Sequence, residues 1–283
     1  MEASNAIDKE TMPDKQFIAE DSIRHEFHAR LFTPFTQACM RYELISEGDR
    51  IAVCISGGKD SMLMAKLFQE IQRHRKVNFD LVFLVMDPGY NDVNRKLIEQ
   101  NARDLAIPIT VFESPIFDAV DNADKNTCYL CARMRRGYLY SKARELGCNK
   151  IALGHHYNDV IETILMEMLY GGQIRTMMPK LRSRNYEGME LIRPMYLIKE
   201  ADICDWRDHC DLHFLNCACK ITERDDNKAG ASKRLEIKEL IAKLKENNPY
   251  VEANIFSSVE NIDLDAIIAY KEDGEKHSFL DDY

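Results

Sequence analysis

Four short apolar runs punctuate the first half of the chain: IAVCI (Ile51–Ile55), LVFLVM (Leu81–Met86), ITVF (Ile109–Phe112) and IAL (Ile151–Leu153). Between and after them lie segments of helix length, from Ser61 to about His74, Val93–Leu105, about Ala132 to Leu146 with Gly147 as a C-terminal cap, and Asp159–Tyr170. Short apolar strands alternating with such helices predict parallel β-α-β units covered on both faces, hence an α/β, doubly wound parallel sheet. Ligands of such sheets bind at the carboxyl ends of the strands, where chain direction across the sheet reverses.

The flanks read differently. Residues 1–14 form a polar tail, and Lys15 to about Leu44 is expected to be one helix with Phe17, Ile23, Phe27, Leu31 and Phe35 sharing a face. The stretch from Gly171 to Pro194 is irregular and basic, and helices are expected near 200–211, 232–247 and 259–271 before an acidic tail. The expected divisions are an N-terminal tail and helix (1–45), an α/β domain (46–200) and a C-terminal helical region (201–283). With 283 residues, such a chain would withdraw about three quarters of its unfolded surface from water and needs no covalent staples. Nine cysteines, odd in number and unevenly spaced, are no secreted disulfide framework. MEASNAIDKETMPDKQ carries no apolar h-region, and no apolar run reaches membrane-spanning length. A reducing, cytoplasmic setting without membrane contact is the expectation.

Chemistry concentrates in three places. CISGGKDS (Cys54–Ser61) joins the first strand to its helix. Gly57 and Gly58 let backbone N–H groups converge on an anion at a helix N-terminus. Ser56 and Ser61 add hydroxyl donors, Lys59 a cation, and Asp60 a carboxylate suited to magnesium or to helix capping. A plain strand-to-helix turn is the structural alternative. GHHYND (Gly154–Asp159) follows the last of the four strands at the same edge: Gly154 permits close approach of a nucleotide and His155 a contact to it. Asp159 is a magnesium or catalytic carboxylate, a helix N-cap, or both; His156 is expected to make a structural hydrogen bond. Asp87, ending another strand there, is a further nucleotide contact. NTCYLCARMRRG (Asn126–Gly137) pairs Cys128 with Cys131 ahead of Arg133, Arg135 and Arg136. A C-x-x-C pair holds zinc, shuttles electrons, carries part of an iron–sulfur cluster, or is two buried thiols.

SGGKDS matches the PP-loop of the ATP pyrophosphatases, which cleave ATP between the α and β phosphates to adenylate a carbonyl or amide oxygen. ISEGDRIAVCISGGKDS, TCYLCARMRRGYLY, KIALGHHYNDVIETILMEMLYGG, MMPKL and IRPM follow in the order of the tRNA 2-thiocytidine synthetase (TtcA) family, so the chain resembles that family over about residues 40–220. The resemblance implies an adenine nucleotide α-hydrolase-like fold with an N-terminal helix and a C-terminal helical extension. It implies an ATP-dependent tRNA thiolase that adenylates the C2 oxygen of a cytidine in the anticodon loop, after which sulfur displaces AMP. It also implies ATP and Mg²⁺, Lys59, Asp60, Asp159 and Arg135 in catalysis, and a [4Fe–4S] cluster on Cys128, Cys131 and a later cysteine. Three thiolates would leave one iron free for an external sulfide.

Two departures stand out. The family's late pair is C-x-x-C before glycine, whereas FLNCACKIT holds Cys217-Ala-Cys219 before Lys220. Cys217 is the better match and Cys219 the alternative or fourth ligand. The family's two adjacent acids after the histidines are here Asn158 and Asp159. A structural Zn²⁺ on all four thiolates is the alternative to the cluster. The sulfur donor would be a cysteine desulfurase or sulfide, and a homodimer would fit the resemblance.

The net charge of −9 argues against nonspecific coating of nucleic acid, yet residues 133–184 hold ten Lys or Arg against four acids. That local surplus suits an RNA backbone. Rival readings are a PP-loop ligase acting on another substrate, and a noncatalytic cluster- or zinc-binding regulator that kept a nucleotide pocket.

Overall fold

The computed structural model describes residues 14–116, 127–215 and 228–281, with 127–132 and 228–232 given by backbone alone. Within these the chain divides into two compact units, one from the described parts of 1–159 and 178–230, the other from 160–177 and 231–281.

The first unit is built on a six-stranded sheet. Strands β1 (Arg50–Ile55), β2 (Asp80–Asp87), β3 (Ile109–Glu113), β4 (Lys150–Ala152), β5 (Lys180–Arg182) and β6 (Glu190–Ile192) run in the order β3-β2-β1-β4-β6-β5. Every pairing is parallel except β5 with β6. The chain steps outward from β1 through β2 to β3, then returns to place β4 on the other side of β1. The order therefore reverses between β1 and β4, and the loops leaving those two strands lie side by side at the carboxyl edge.

Alternation along the strands separates two cores. Ile51, Val53, Ile55, Phe83, Val85 and Ile192 face a cluster shared with α1 (Lys15–Arg24), α2 (Thr33–Arg41), α3 (Lys59–Arg73), α4 (Asp92–Asp104) and α7 (Glu200–His209). Ala52, Cys54, Leu84, Met86, Ile151 and Leu191 face a second cluster with Leu139, Tyr140 and Ala143 of α5 (Thr127–Glu145). Helices on both faces make the sheet doubly wound, as the strand pattern predicts.

Three expectations are corrected. The single N-terminal helix is α1 and α2 joined through a π-helical turn, His28–Phe32, where Phe27 N–H already bonds five residues back to Ser22 O. Ile23, Phe27, Leu31 and Phe35 are spaced by four, and each such step overshoots an α-helical turn by about 40°. The wider π turn absorbs the excess and keeps all four buried, while Phe17 is exposed. The stretch 171–194 supplies β5 and β6, extending the sheet past β4. The expected helix at 259–271 is a 3-10 turn (Leu264–Ala266) followed by a hairpin of β7 (Ala269–Glu272) and β8 (Glu275–Ser278).

The second unit comprises most of α6 (Tyr157–Gly171), α8 (Lys228–Asn247), α9 (Val251–Ser258) and that hairpin. Glu162 of α6 is buried and faces Arg234 and Lys238, one helical turn apart on α8, at 3.6 and 3.7 Å. No described helix is long and apolar enough to cross a membrane.

Candidate active site

β1 ends at Ile55 and α3 begins at Lys59, so Ser56, Gly57 and Gly58 carry the whole reversal. Gly57 has φ +85°, and a Cβ there would stand 2.6 Å from Ile98 Cγ1 and 3.2 Å from Leu215 Cδ1. Only glycine fits both the torsion and the space. The turn is closed by Ser61, whose Oγ accepts from Ser56 N–H at 3.1 Å and donates to Gly58 O at 3.0 Å. Gly58 occupies the N-cap of α3 and offers no capping side chain, which leaves the helix's first amides to another acceptor. A preformed turn and an uncapped helix N-terminus make an anion cradle, while the two expected hydroxyl donors are spent within the turn, Ser56 Oγ donating to Ser61 Oγ at 3.2 Å and Ser61 Oγ to Gly58 O.

Lys59 stands at the mouth of this cradle. Its Nζ lies 3.0 Å from Asp60 Oδ1 and 3.3 Å from Glu200 Oε1, at the start of α7. Burial works against the ammonium charge, but Asp60 and Glu200 outweigh it and hold the pKa above that of an ordinary lysine. Asp60 Oδ1 is buried and faces the Lys59 ammonium at ion-pair distance without a well-aligned hydrogen bond.

The second loop approaches closely. A Cβ on Gly154 would come within 3.3 Å of the Asp60 and Ser61 backbone, which cannot move aside without unwinding the first turn of α3. Asp159 sits inside the first turn of α6, which begins at Tyr157, and reaches back to accept from His156 N–H at 3.1 Å, as the third residue of a capping box does; it is not the expected N-cap. His156 is buried with Nε2 3.6 Å from Asp159 Oδ2 and 4.0 Å from Asp60 Oδ1. Its Nδ1 makes no hydrogen bond, so the expected structural bond is replaced by a seat between two carboxylates. His155 Nδ1 accepts from Nε of Arg193, a buried guanidinium one residue past β6. Burial pulls the Arg193 pKa down to about 10, with Arg136 of α5 adding repulsion and Asp159 attraction. The arginine-rich start of α5 therefore adjoins this loop electrostatically; Arg135 there is half-buried and Arg133 and Arg136 are exposed.

Other expected contacts are engaged elsewhere. Asp87 accepts from Gly89 and Tyr90 N–H at 2.8 and 2.7 Å and pairs with Arg95 at 2.5 Å. Burial opposes its charge, but those three partners hold the carboxyl below the usual range. It secures the turn between β2 and α4. Asn158 Oδ1 accepts from Glu200 N–H at 2.9 Å, capping α7, whose N-cap residue Lys199 has no capping oxygen. Cys128 and Cys131 stand at the start of α5, but their side chains, like the whole of Cys217 and Cys219, lie outside the described residues. Among the described residues no group of three or more His, Cys, Asp or Glu is placed to hold a metal ion.

Sequence reasoning missed three participants. Glu200 and Arg193 reach the loops across the fold, from IKEAD and IRPM. Leu215 lies on the cradle itself: its N–H donates to Gly57 O at 3.3 Å, while Asn101 Nδ2 holds His213 O at 2.9 Å. The chain that reaches Cys217 two residues later is thus bonded to the phosphate loop.

The PP-loop domain family matches residues 26–220. A tRNA-cytidine(32) 2-sulfurtransferase of Anaeromyxobacter dehalogenans (strain 2CP-C) is 33% identical over 241 residues, covering 84% of this chain and 81% of that protein. Its counterpart in Alcanivorax borkumensis is 35% identical over 232 residues, covering 80% and 78%. Among solved structures, the U34-tRNA thiolase NcsA from Methanococcus maripaludis, determined with its [4Fe-4S] cluster, superposes with a TM-score of 0.63. It does so over 82% of this chain and 79% of that one at 19% identity, a likeness of fold. By its matched domain and these relatives, the chain belongs to the tRNA-cytidine 2-sulfurtransferases of the PP-loop family.

Proposed function

We propose that this chain is an ATP-dependent tRNA sulfurtransferase that converts a cytidine of the anticodon loop, position 32 by its relatives, to 2-thiocytidine. The observation that carries the reading is the cradle at Gly57 and Gly58: it is formed by the protein's own bonds and is open to an anion beside Lys59. A triphosphate seated there would exchange the carboxylates now facing Lys59 for phosphate oxygens. Attack of the cytidine C2 oxygen on the α-phosphorus would expel pyrophosphate and leave C2 bonded to an AMP leaving group. A sulfur nucleophile would then add at C2, and AMP would depart with the original oxygen.

Asp60, once Lys59 turns to the phosphates, and Asp159 would hold the magnesium that accompanies the nucleotide. Cys128, Cys131 and Cys217, with Cys219 as the alternative, are a thiolate donor set that fits a [4Fe–4S] cluster. When bound, the cluster would supply one open iron to an external sulfide, delivered as such or released from a desulfurase's persulfide by a thiol reductant. Arg133, Arg135 and Arg136 would bring the RNA backbone to this edge.

The test is nucleoside analysis of tRNA from a strain lacking the gene. Loss of 2-thiocytidine, restored by the wild-type chain but not by Lys59→Ala, is expected. An unchanged 2-thiocytidine content would overturn the reading, as would a colourless, anaerobically purified protein carrying stoichiometric zinc for the cluster.

A further inference from the structure

His155 and Arg193 follow neighbouring strands. β4 and β6 are paired in parallel with Ala152 opposite Ile192, and Leu153 N–H still bonds Ile192 O at 3.0 Å as the strands end. Arg193 is fixed by the turn next to it: its backbone N–H donates to Pro179 O at 2.9 Å and its Nη1 to Met178 O. With its terminal nitrogen so held, Nε points at His155 Nδ1 from 3.3 Å.

A guanidinium only donates, so the nitrogen it faces must present a lone pair. Even with its pKa drawn down to about 10, Arg193 remains charged at neutral pH and does not trade roles with the imidazole. The single proton of a neutral ring then sits on Nε2. A second proton would turn Nδ1 into a donor facing a donor and set two cations 3.3 Å apart.

We propose that Arg193 is a positioning residue that fixes His155 as the neutral Nε2–H tautomer, so that the loop after β4 offers the nucleotide's phosphate oxygens an uncharged hydrogen-bond donor. The consequence is a division of labour: Lys59 brings charge, while His155 brings direction without charge and does not act as a general acid. The tautomer assignment stands on the geometry alone. Its use toward phosphate rests on the ATP-dependent reading above.

Nitrogen-15 NMR of the full chain with labelled histidine, at pH 7.5 and without nucleotide, tests the assignment. His155→Gln identifies the resonance among the eight histidines. One protonated nitrogen, Nε2, is expected; a ring protonated on Nδ1, or on both nitrogens, overturns the proposal. Arg193→Lys keeps the charge but loses the planar fork, and should release the ring into a mixture of tautomers with the unfolding midpoint little changed. Should that variant unfold, the wild-type spectrum still decides. Toward the substrate, His155→Gln, a neutral donor, should keep tRNA-stimulated AMP release within about tenfold of wild type, whereas His155→Leu should lose about 100-fold or more. Equal losses in the two variants would overturn the donor role. Absence of AMP release by the wild-type chain would instead sink the ATP-dependent reading and leave the tautomer result standing.

Discussion

Gly57 meets two demands at once, and they are separable by experiment. Its φ of +85° costs any L side chain about 1–2 kcal/mol, and the crowding against Ile98 and Leu215 adds about 1–3 kcal/mol for a single methyl group. Gly48 has a similar φ of +78°, yet a methyl group there would meet nothing within 4 Å, so it isolates the backbone part. Urea unfolding should therefore show Gly57→Ala losing about 2–5 kcal/mol and Gly48→Ala about 1–2 kcal/mol. Equal losses would mean that Ile98 and Leu215 yield freely and that the loop is not held from above. The glycines, Lys59 and the GHHYND loop were legible in the sequence because each follows a strand directly and the chemistry lies in adjacent residues. Glu200, Arg193 and Leu215 were not, because what they do depends on contacts across 141, 38 and 158 residues of chain, and nothing local marks them.

At the scale of elements, α7 shows a cap supplied from a distance. Its N-cap position is Lys199, and Asn158 of α6 provides the missing acceptor to Glu200 N–H. Asn158→Ala should cost about 1 kcal/mol in urea unfolding, while Asn158→Asp keeps an acceptor and should stay within about 0.5 kcal/mol of wild type. A harmless alanine would show that the cap does not hold α7. The asparagine that stands where the family has the first of its two adjacent acids thus has a positive role, one that a carboxylate would also fill. The strands and central helices were legible because period and length agree there. The C-terminal error had the opposite cause: DLDAIIAY offers apolar residues at helical spacing, yet the chain turns at Asp273-Gly274. Both residues have positive φ, at +49° and +90°, joining Glu272 to its partner Glu275 in a two-residue hairpin loop. An Asp-Gly pair is a strong hairpin signal, and it outweighs a short apolar run. β5 and β6 escaped notice because three-residue strands carry too little period to stand out from a loop.

Across the first unit, charge decides how the fold responds to acid. Glu20 and Glu70 tie α1 to α3 through Lys66 at 2.7 Å and Arg24 at 2.9 Å, and Asp87 ties β2 to α4 through Arg95. Burial opposes the charge on all three carboxylates, but their hydrogen bonds and cationic neighbours prevail and hold each pKa below its ordinary value of 4.5, 4.5 or 3.8. A depressed folded-state pKa means that the unfolded chain binds protons first as pH falls. Stability from these groups is therefore fully present above about pH 5 and is lost as pH drops through their folded values. A second effect has the opposite sign: the net charge of −9 at pH 7 vanishes near pH 5.5, relieving general self-repulsion on the way down. The urea midpoint should then hold level or rise slightly from pH 7 to 5.5 and fall steeply below about pH 4.5. Salt separates the two, since 0.5 M NaCl screens surface repulsion and should flatten the upper region while sparing most of the fall, Glu70 and Asp87 being buried. Glu70→Gln should start from a lower midpoint at pH 7 and show a shallower acid limb. If its limb matches wild type in slope and depth, the α1–α3 tie is not what acid releases.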